Sequence, residues 1–329
     1  MLGRSAVVSD TGRRRRRNED QYVCVPPLFA VADGMGGAQA GEVASGLAAA
    51  VLNEAAPGEG VVERGEERVA SLIQEANRRV FQRSSEDEST SGMGTTMTVA
   101  LVDGDTIAFG HVGDSRAYRV RGGELEQLTD DHSLVGELVR SGRLSDEEAE
   151  SHPQRSVITR ALGTEPEVDV DTFTVEAKPD DLYLLCSDGL TDMVSPRQLQ
   201  PLLVEHAGDL EAAARALVDA ANAGGGEDNI TVVLFQIAAA AADPDETKEM
   251  PVAVAPAPPP EEDDEDTLSG LDPVPAVDTA VITAAAVEEH MQQLEPEPPA
   301  KPRRRLAPLI LLVLILATIA VLAYWGLTR

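Results

Sequence analysis

Cysteine is nearly missing from this chain: Cys24 and Cys186 are the only two among 329 residues. Each sits inside an apolar, strand-like run, so a disulfide framework is not expected, and both read as small core residues in a reducing compartment. Basic residues are scarce as well, with 27 Lys and Arg against 57 Asp and Glu and a formal net charge of -30. Phosphate backbones are gripped by Lys and Arg, so this balance argues against nucleic acid as a partner. The N-terminus lacks an apolar stretch behind a basic start, because Arg13 to Arg17 run straight into Asn18, Glu19 and Asp20. No secretory signal is expected.

What is present divides near residue 240. From Asp243 to Pro302 the chain is rich in Pro, Ala, Asp and Glu, carries the acidic block Glu261 to Asp266 and has almost no aromatics. Such a segment buries too little to fold alone, and 241–305 is read as a disordered acidic linker. As a flexible tether of about 60 residues it would span on the order of 40 Å. Residues 306–327 then read LAPLILLVLILATIAVLAYWGL without a charge, close to the ~20 residues that cross a hydrocarbon core. A transmembrane helix is expected there. Lys301, Arg303, Arg304 and Arg305 flank its N-terminal side while Arg329 alone lies beyond, which places residues 1–305 in the cytoplasm and the chain in the inner membrane.

Residues 1–240 alternate strand-like and helix-like stretches, which predicts a mixed α and β domain with hairpins. Phe29 to Ala32 is a short apolar run ending at Asp33, and Glu42 to Glu54 after it favours helix. Val61 to Arg83 predicts a second helix with Val62, Val69, Leu72, Ile73, Ala76 and Val80 on one stripe. Thr95 to Val102 and Thr106 to Val112 flank Asp103-Gly104-Asp105, a hairpin pattern. Leu182 to Cys186 and Ile230 to Ile237 have strand length. Pro196 to His206 and Asp209 to Asn222 predict helices between them, the first capped by Ser195. Residues 131–165 are polar and mixed and are read as an excursion from the sheet, with short helices near Leu134 to Ser141 and Asp146 to Glu150.

Four aspartates fall in short blocks: Asn18-Glu19-Asp20, Ala32-Asp33-Gly34-Met35-Gly36-Gly37, Ser187-Asp188-Gly189 and Asp228-Asn229-Ile230. Three of them stand at the edge of an apolar run. They can converge only at one rim of a folded sheet, where carboxylates without matching cations repel one another. A hard divalent ion with oxygen ligands relieves that repulsion, so the pattern points to Mg or Mn.

These blocks occur in order together with Gly94-Thr95-Thr96, Gly113-Asp114-Ser115-Arg116-Ala117-Tyr118, Thr129-Asp130-Asp131-His132-Ser133 and Ile158-Thr159-Arg160-Ala161-Leu162-Gly163. Over residues 5–237 the chain resembles a bacterial member of the metal-dependent PPM, or PP2C-type, serine/threonine protein phosphatases. The resemblance implies an α+β fold, a four-layer α/β/β/α sandwich of two antiparallel sheets flanked by helices, spanning 1–240 with 131–165 as a flap beside the site. It also implies hydrolysis of phosphoserine and phosphothreonine in proteins by a hydroxide bridging two Mn or Mg ions and attacking phosphorus in line, opposing serine/threonine kinases in bacterial signalling.

The resemblance further assigns residues. Asp33 bridges the two ions and the Gly34 carbonyl binds one of them, while Asp188 and Asp228 complete the second. Glu19 and Asp20 hold waters on the ions, and Asp114 with Asp188 takes a third ion found in bacterial members. Arg15, four residues before Glu19, stands where the family grips phosphate. A guanidinium there would take two phosphoryl oxygens in a fork. Met35 departs from animal members, which carry a histidine proposed to protonate the leaving group. Methionine cannot donate a proton, so a water is expected to act instead. Partners implied are phosphorylated proteins, among them a membrane-bound serine/threonine kinase and its substrates.

Several blander readings stand beside these. Arg13 to Arg17 also has the look of a nucleic-acid or acidic-lipid patch. Gly34 to Gly37 fails as a dinucleotide fingerprint, because Gln39 stands at its sixth position. A cysteine phosphatase needs Arg six residues after Cys, where Ala30 and Asp192 stand. His111 and His132 are expected to be structural, and Asp103 and Asp192 to be turn or cap residues. A binding module derived from the same fold would have lost a metal carboxylate, and none is missing.

Overall fold

The computed structural model describes residues 2–36, 40–55, 65–145, 148–149, 152–238 and 280–281. The chain divides into two units, Met1–Val287 and Glu288–Arg329, and all described residues belong to the first. Two antiparallel sheets form its frame. One has the order β1 (Leu2–Asp10), β12 (Ile230–Ile237), β11 (Leu182–Cys186), β7 (Arg116–Arg121), β8 (Glu124–Gln127). The other runs β10 (Asp171–Glu176), β6 (Thr106–Val112), β5 (Met97–Asp103), β3 (Leu28–Met35), β2 (Asp20–Val25), with the short β4 (Gly94–Thr95) paired to the end of β3.

Side-chain alternation explains how these strands build four layers. In β12, Val233, Phe235 and Ile237 face the other sheet, while Ile230, Val232 and Leu234 face helices. In β11, Tyr183 and Leu185 take the inner side and Leu182, Leu184 and Cys186 the outer. A strand buried on both faces needs apolar residues at every position, which is why these runs are continuous in sequence. Phe235 stacks between Phe29, 4.3 Å away at 7°, and Tyr183, 5.0 Å away at 9°, joining the two sheets.

Helices cover the outer faces. α1 (Ala40–Glu54) and α2 (Gly65–Glu86) lie on one sheet, and α1 presents Ala44 and Ala48 to the same cluster as Ala30 and Ala32 of β3. Paired small residues allow a close approach of helix to strand. α2 buries Val69, Leu72, Ile73, Ala76 and Val80, the stripe expected from its spacing except for Val62, which lies outside the described residues. On the other sheet lie α5 (Pro196–Glu205) and α6 (Leu210–Gly224). Gln198 Oε1 accepts from the Ser195 backbone N–H at 3.0 Å, and the Asp209 carboxylate caps α6 through Ala212 N at 3.1 Å. The expected α/β/β/α sandwich is therefore the observed one.

The excursion carries α3 (Leu134–Arg140) and the two-residue β9 (Val157–Ile158). Ser133 caps α3, accepting from Gly136 N at 3.1 Å. Bridges Thr95↔Leu162 and Ser133↔Ile158 tie the excursion to the rim of the sheets. β9 also pairs in parallel with β13 (Ala280–Val281), the one described dipeptide of the acidic linker. The expected transmembrane helix at 306–327, the rest of the linker and most of the short helix expected at Asp146 to Glu150 lie outside the described residues. Among the described residues no helix is long and apolar enough to cross a membrane.

Phe235→Ala should test the joint between the sheets. Losing a fully buried ring that stacks on two others is expected to cost about 3–5 kcal/mol, read as a fall in the urea midpoint with the slope unchanged.

Candidate active site

The aspartates meet at one rim because strand ends meet there. Antiparallel register sets Asp20 at the start of β2 opposite Asp33 near the end of β3. Asp188 opens the single-turn α4 (Asp188–Thr191) directly after β11, Asp228 stands just before β12, and Asp114 follows β6 in a turn at Gly113, whose φ is +111°. Burial on both sheet faces fixes these registers, since a slip of one residue would turn an apolar set outward.

Neutral donors and acceptors hold the rim together. The Asp33 backbone N–H reaches Thr96 Oγ1 at 3.0 Å, and the Asp33 carbonyl accepts from Thr96 N at 2.9 Å and from Thr95 Oγ1 at 2.8 Å. Ser187 Oγ donates to Asp20 Oδ2 at 2.8 Å. Asn229 stitches the N-terminal loop down: its Oδ1 accepts from Glu19 N at 2.8 Å, and its Nδ2 donates to the carbonyls of Thr11 and Arg17, each at 2.9 Å. Among the described residues Arg15 is the one cation bonded to these aspartates, with Nη2 2.6 Å from Asp228 Oδ2.

One cation does not balance this charge, and the carboxyl groups respond by holding protons. Burial, then Asp20, Asp188, Asp228 and Asp114, push Asp33 well above the usual carboxylate range. Burial, then Asp114, Asp228 and Asp192, do the same to Asp188. Burial lifts Asp20 to about 6 although Ser187 bonds it, and burial with Asp131 and Asp192 lifts Asp114 to about 7. A proton on Asp33 would be shared with Asp20 and with Asp188.

Do these residues fit a divalent ion? Among the described residues no three His, Cys, Asp or Glu side chains already stand close enough around one point to hold an ion. Three other features fit one. Oδ1 of Asp20, of Asp114 and of Asp188 is each buried without a hydrogen-bond partner, and a hard cation would satisfy such orphaned oxygens. The position at Gly41 is a cradle: a Cβ there would lie 2.5 Å from Glu19 Oε2 and 2.7 Å from the Gly34 carbonyl oxygen. Glycine thus keeps space open between two oxygens of the expected ligand set. Gly189 is equally constrained, since a Cβ would meet the Asn229 carbonyl at 2.1 Å. The donor set is all oxygen and acidic, as Mn and Mg require.

Every residue expected at the site, Arg15, Glu19, Asp20, Asp33, Gly34, Asp114, Asp188 and Asp228, lies on this rim or the loops over it. Met35 is buried and packs with Ile158 and Ala161 of the excursion. His111 and His132 are structural as expected: both are buried, their rings lie 4.7 Å apart, and His132 Nδ1 accepts from Gly113 N at 3.0 Å. Asp103 and Asp192 do occupy a hairpin turn and a helix C-cap. Asp192 does more than cap, because its charge raises both Asp114 and Asp188 and it lies 3.7 Å from Arg155. Sequence reasoning missed that second role, and it missed Asn229, Ser187 and Gly41. Asp192 carries a signal in its spacing, four residues after Asp188 and hence on the same side of a helical turn.

Comparison with known proteins supplies independent support. A family model described as protein phosphatase 2C matches residues 15–221. Serine/threonine phosphatase stp of Listeria welshimeri is 41% identical over 236 residues, covering 69% of this chain and 93% of that protein. PstP of Mycobacterium tuberculosis is 41% identical over 237 residues, covering 71% of this chain and 45% of that longer protein. A crystal structure of M. tuberculosis PstP/Ppp superposes with a TM-score of 0.69 at 40% identity, covering 73% of this chain and all of that one. A structure of the PstP catalytic domain in complex with two manganese ions gives 0.67 at 37% identity, covering 72% and 99%.

Mn uptake should be strongly pH dependent. A carboxylic acid with a raised pKa must lose its proton before it can ligate, so affinity rises with pH and binding expels protons. Calorimetric titration in buffers of differing ionisation enthalpy is expected to show net proton release that falls as pH rises through about 6 to 7, where Asp20 and Asp114 titrate, with tighter binding at the higher pH.

Proposed function

The chain belongs to the protein phosphatase 2C family, and from that premise we propose how its own residues divide the labour of hydrolysis. It is a Mn- or Mg-dependent serine/threonine protein phosphatase acting on phosphorylated proteins. The observation that carries the assignment of roles is the rim itself: buried aspartates with orphaned oxygens, beside a single arginine fork.

Asp33, Asp188, Asp228 and the Gly34 carbonyl would hold two divalent ions, Glu19 and Asp20 would support them through water, and Asp114 with Asp188 would hold a third. Two such ions, when bound, supply the Lewis acidity that makes water nucleophilic at neutral pH and neutralises phosphate charge. Arg15 binds the phosphoryl group. Its guanidinium offers five N–H donors in a plane, enough to keep the Asp228 bond and still present two to the substrate. Placed there, it spreads the charge that grows on the phosphoryl oxygens in the transition state. Asp228 keeps the fork aimed at the rim. Asn229 and Gly226 hold the loop that carries it, through the Arg17 carbonyl and through Arg13 N and Arg14 N. Met35 supplies no proton to the leaving alkoxide; it joins the rim to the excursion at Ile158 and Ala161.

The phosphatase domain occupies residues 1–240, the linker 241–305, and a helix at 306–327 anchors the chain in the inner membrane with the active site facing the cytoplasm. What supports this is the uncharged apolar run and the basic residues gathered on its N-terminal side. Anchoring raises the local concentration of enzyme near membrane-bound substrates, a receptor-like serine/threonine kinase among them.

Asp33→Ala and Asp228→Ala should each abolish Mn-dependent turnover of p-nitrophenyl phosphate and of phosphothreonine peptides while the protein still melts cooperatively. Arg15→Ala should lower kcat by about a hundredfold or more. Substantial activity in both aspartate variants would refute the assignment. Deleting 306–327 should move the protein from the membrane to the soluble fraction with catalytic constants unchanged, and continued sedimentation with membranes would refute the anchor.

A further inference from the structure

Beside the aspartate rim lies a cavity of about 680 Å³, lined by Arg15, Arg16, Arg17, Glu19, Arg83 and Ser89, among others. It is roofed by the N-terminal loop and floored by the end of α2 and the residues just after it. Four arginines around one hollow are out of keeping with a chain whose net charge is -30.

Arg15 is tied to Asp228 at 2.6 Å. Arg83 gives one N–H to Asp87 at 3.1 Å, Arg17 Nη1 stands 4.0 Å from Glu42, and Arg16 makes no ion pair with any described residue. The side chains of Arg17 and Arg83 are 56% and 49% exposed, so those pairs are screened and contribute little. Backbone bonds hold the cations side by side instead. Arg13 N and Arg14 N donate to the Gly226 carbonyl at 2.7 and 3.1 Å, and the Arg17 carbonyl accepts from Asn229 Nδ2 at 2.9 Å. A loop pinned at both ends keeps Arg15, Arg16 and Arg17 around one hollow with Arg83. That arrangement is preorganised for an anion that arrives from outside.

Arg15 lines this cavity and also bonds Asp228 on the rim at 2.6 Å. A substrate whose phosphoryl group sits on the rim therefore brings its neighbouring residues over the arginine cavity. We propose that this cavity is a specificity subsite for a second anionic group of the substrate protein, a carboxylate or a phosphate carried within a few residues of the phosphoserine or phosphothreonine. It rests on the phosphatase reading and adds the substrate class. The chain's net charge of -30 disfavours such substrates, and a positive patch beside the rim offsets that locally.

Three phosphothreonine peptides test it with the full-length Mn-loaded protein: one with neutral flanks, one with glutamate flanks, and one with a non-hydrolysable phosphonate beside the phosphothreonine. Wild type should show kcat/KM about three- to tenfold higher for either anionic peptide, mainly through KM and shrinking as salt is raised. Arg16→Glu, at an exposed residue, should remove or reverse the preference, and Arg16→Gln with Arg83→Gln should bring the ratio close to one. The ratio is read within each variant, so a general loss of folded enzyme cancels. The glutamate and phosphonate arms tell which anion is favoured. Equal kcat/KM for all three peptides in wild type, or a preference that survives both variants, overturns the proposal while leaving the phosphatase assignment intact. Failure to hydrolyse any of the three overturns both. Binding to phosphatidylglycerol vesicles that is lost in the same variants, with peptide ratios near one throughout, would overturn it in favour of a lipid surface.

Discussion

Everything at the active rim follows from gathering carboxylates in a place where protein cations do not follow. Burial raises the proton affinity of Asp20, Asp33, Asp114 and Asp188, the other three carboxylates raise Asp33 further, and Arg15 bonds Asp228. The supports around them are neutral: threonine hydroxyls on Asp33, a serine hydroxyl on Asp20, an asparagine amide under Glu19. A second arginine or a lysine in any of those places would relieve the repulsion and take the position of an ion. Neutral supports fix the geometry and leave the charge unanswered. These carboxyls are therefore the opposite of an ordinary salt-bridged carboxylate. Asp20, Asp33, Asp114 and Asp188 are held above their unfolded pKa values, so they favour the folded state when protonated, and that contribution is lost as pH rises through about 6 to 7 for Asp20 and Asp114.

The sandwich makes such a rim affordable. Phe29, Tyr183 and Phe235 stack between the sheets, and the outer faces of β11 and β12 are sealed by α5 and α6. Apolar burial contributes roughly 25 cal/mol per Å², and it is spent along the middle of the strands, where the sequence is almost wholly apolar. The strand ends are released from packing duty. Carboxylates, glycines and turns collect there, including Gly41 and Gly189, whose missing side chains keep oxygens within reach of one another.

That division of labour also decides what the sequence reveals. Strands buried on both faces announce themselves: Thr106–Val112, Leu182–Cys186 and Ile230–Ile237 run between the same residues in sequence and in structure. Edge strands do not. Leu2–Asp10, Glu124–Gln127 and Asp171–Glu176 each have one neighbour and an exposed, polar face, so little in their composition separates them from loops. Thr95 to Val102 reads as one strand but is broken at Thr96, whose side chain leaves the sheet pattern to bond Asp33 and Ser115. At the site, the aspartates were legible because charged residues at the ends of apolar runs demand an explanation. Asn229 and Ser187 were not, since a neutral polar residue in a turn looks the same whether it caps, floats or positions a loop.

The basic lip completes the electrostatic picture. An acidic enzyme acting on anionic substrates faces repulsion over most of its surface, and a rim of carboxylates worsens it until ions are bound. The N-terminal loop sets Arg15 to Arg17 beside that rim, and α2 brings Arg83 to the same hollow. Because Gly226 and Asn229 hold this loop, and Asp228 stands between them, the segment that delivers the aspartate also fixes the arginines. Positive and negative halves of the site are thus positioned by one stretch of chain, and a shift in residues 226–229 would displace both together.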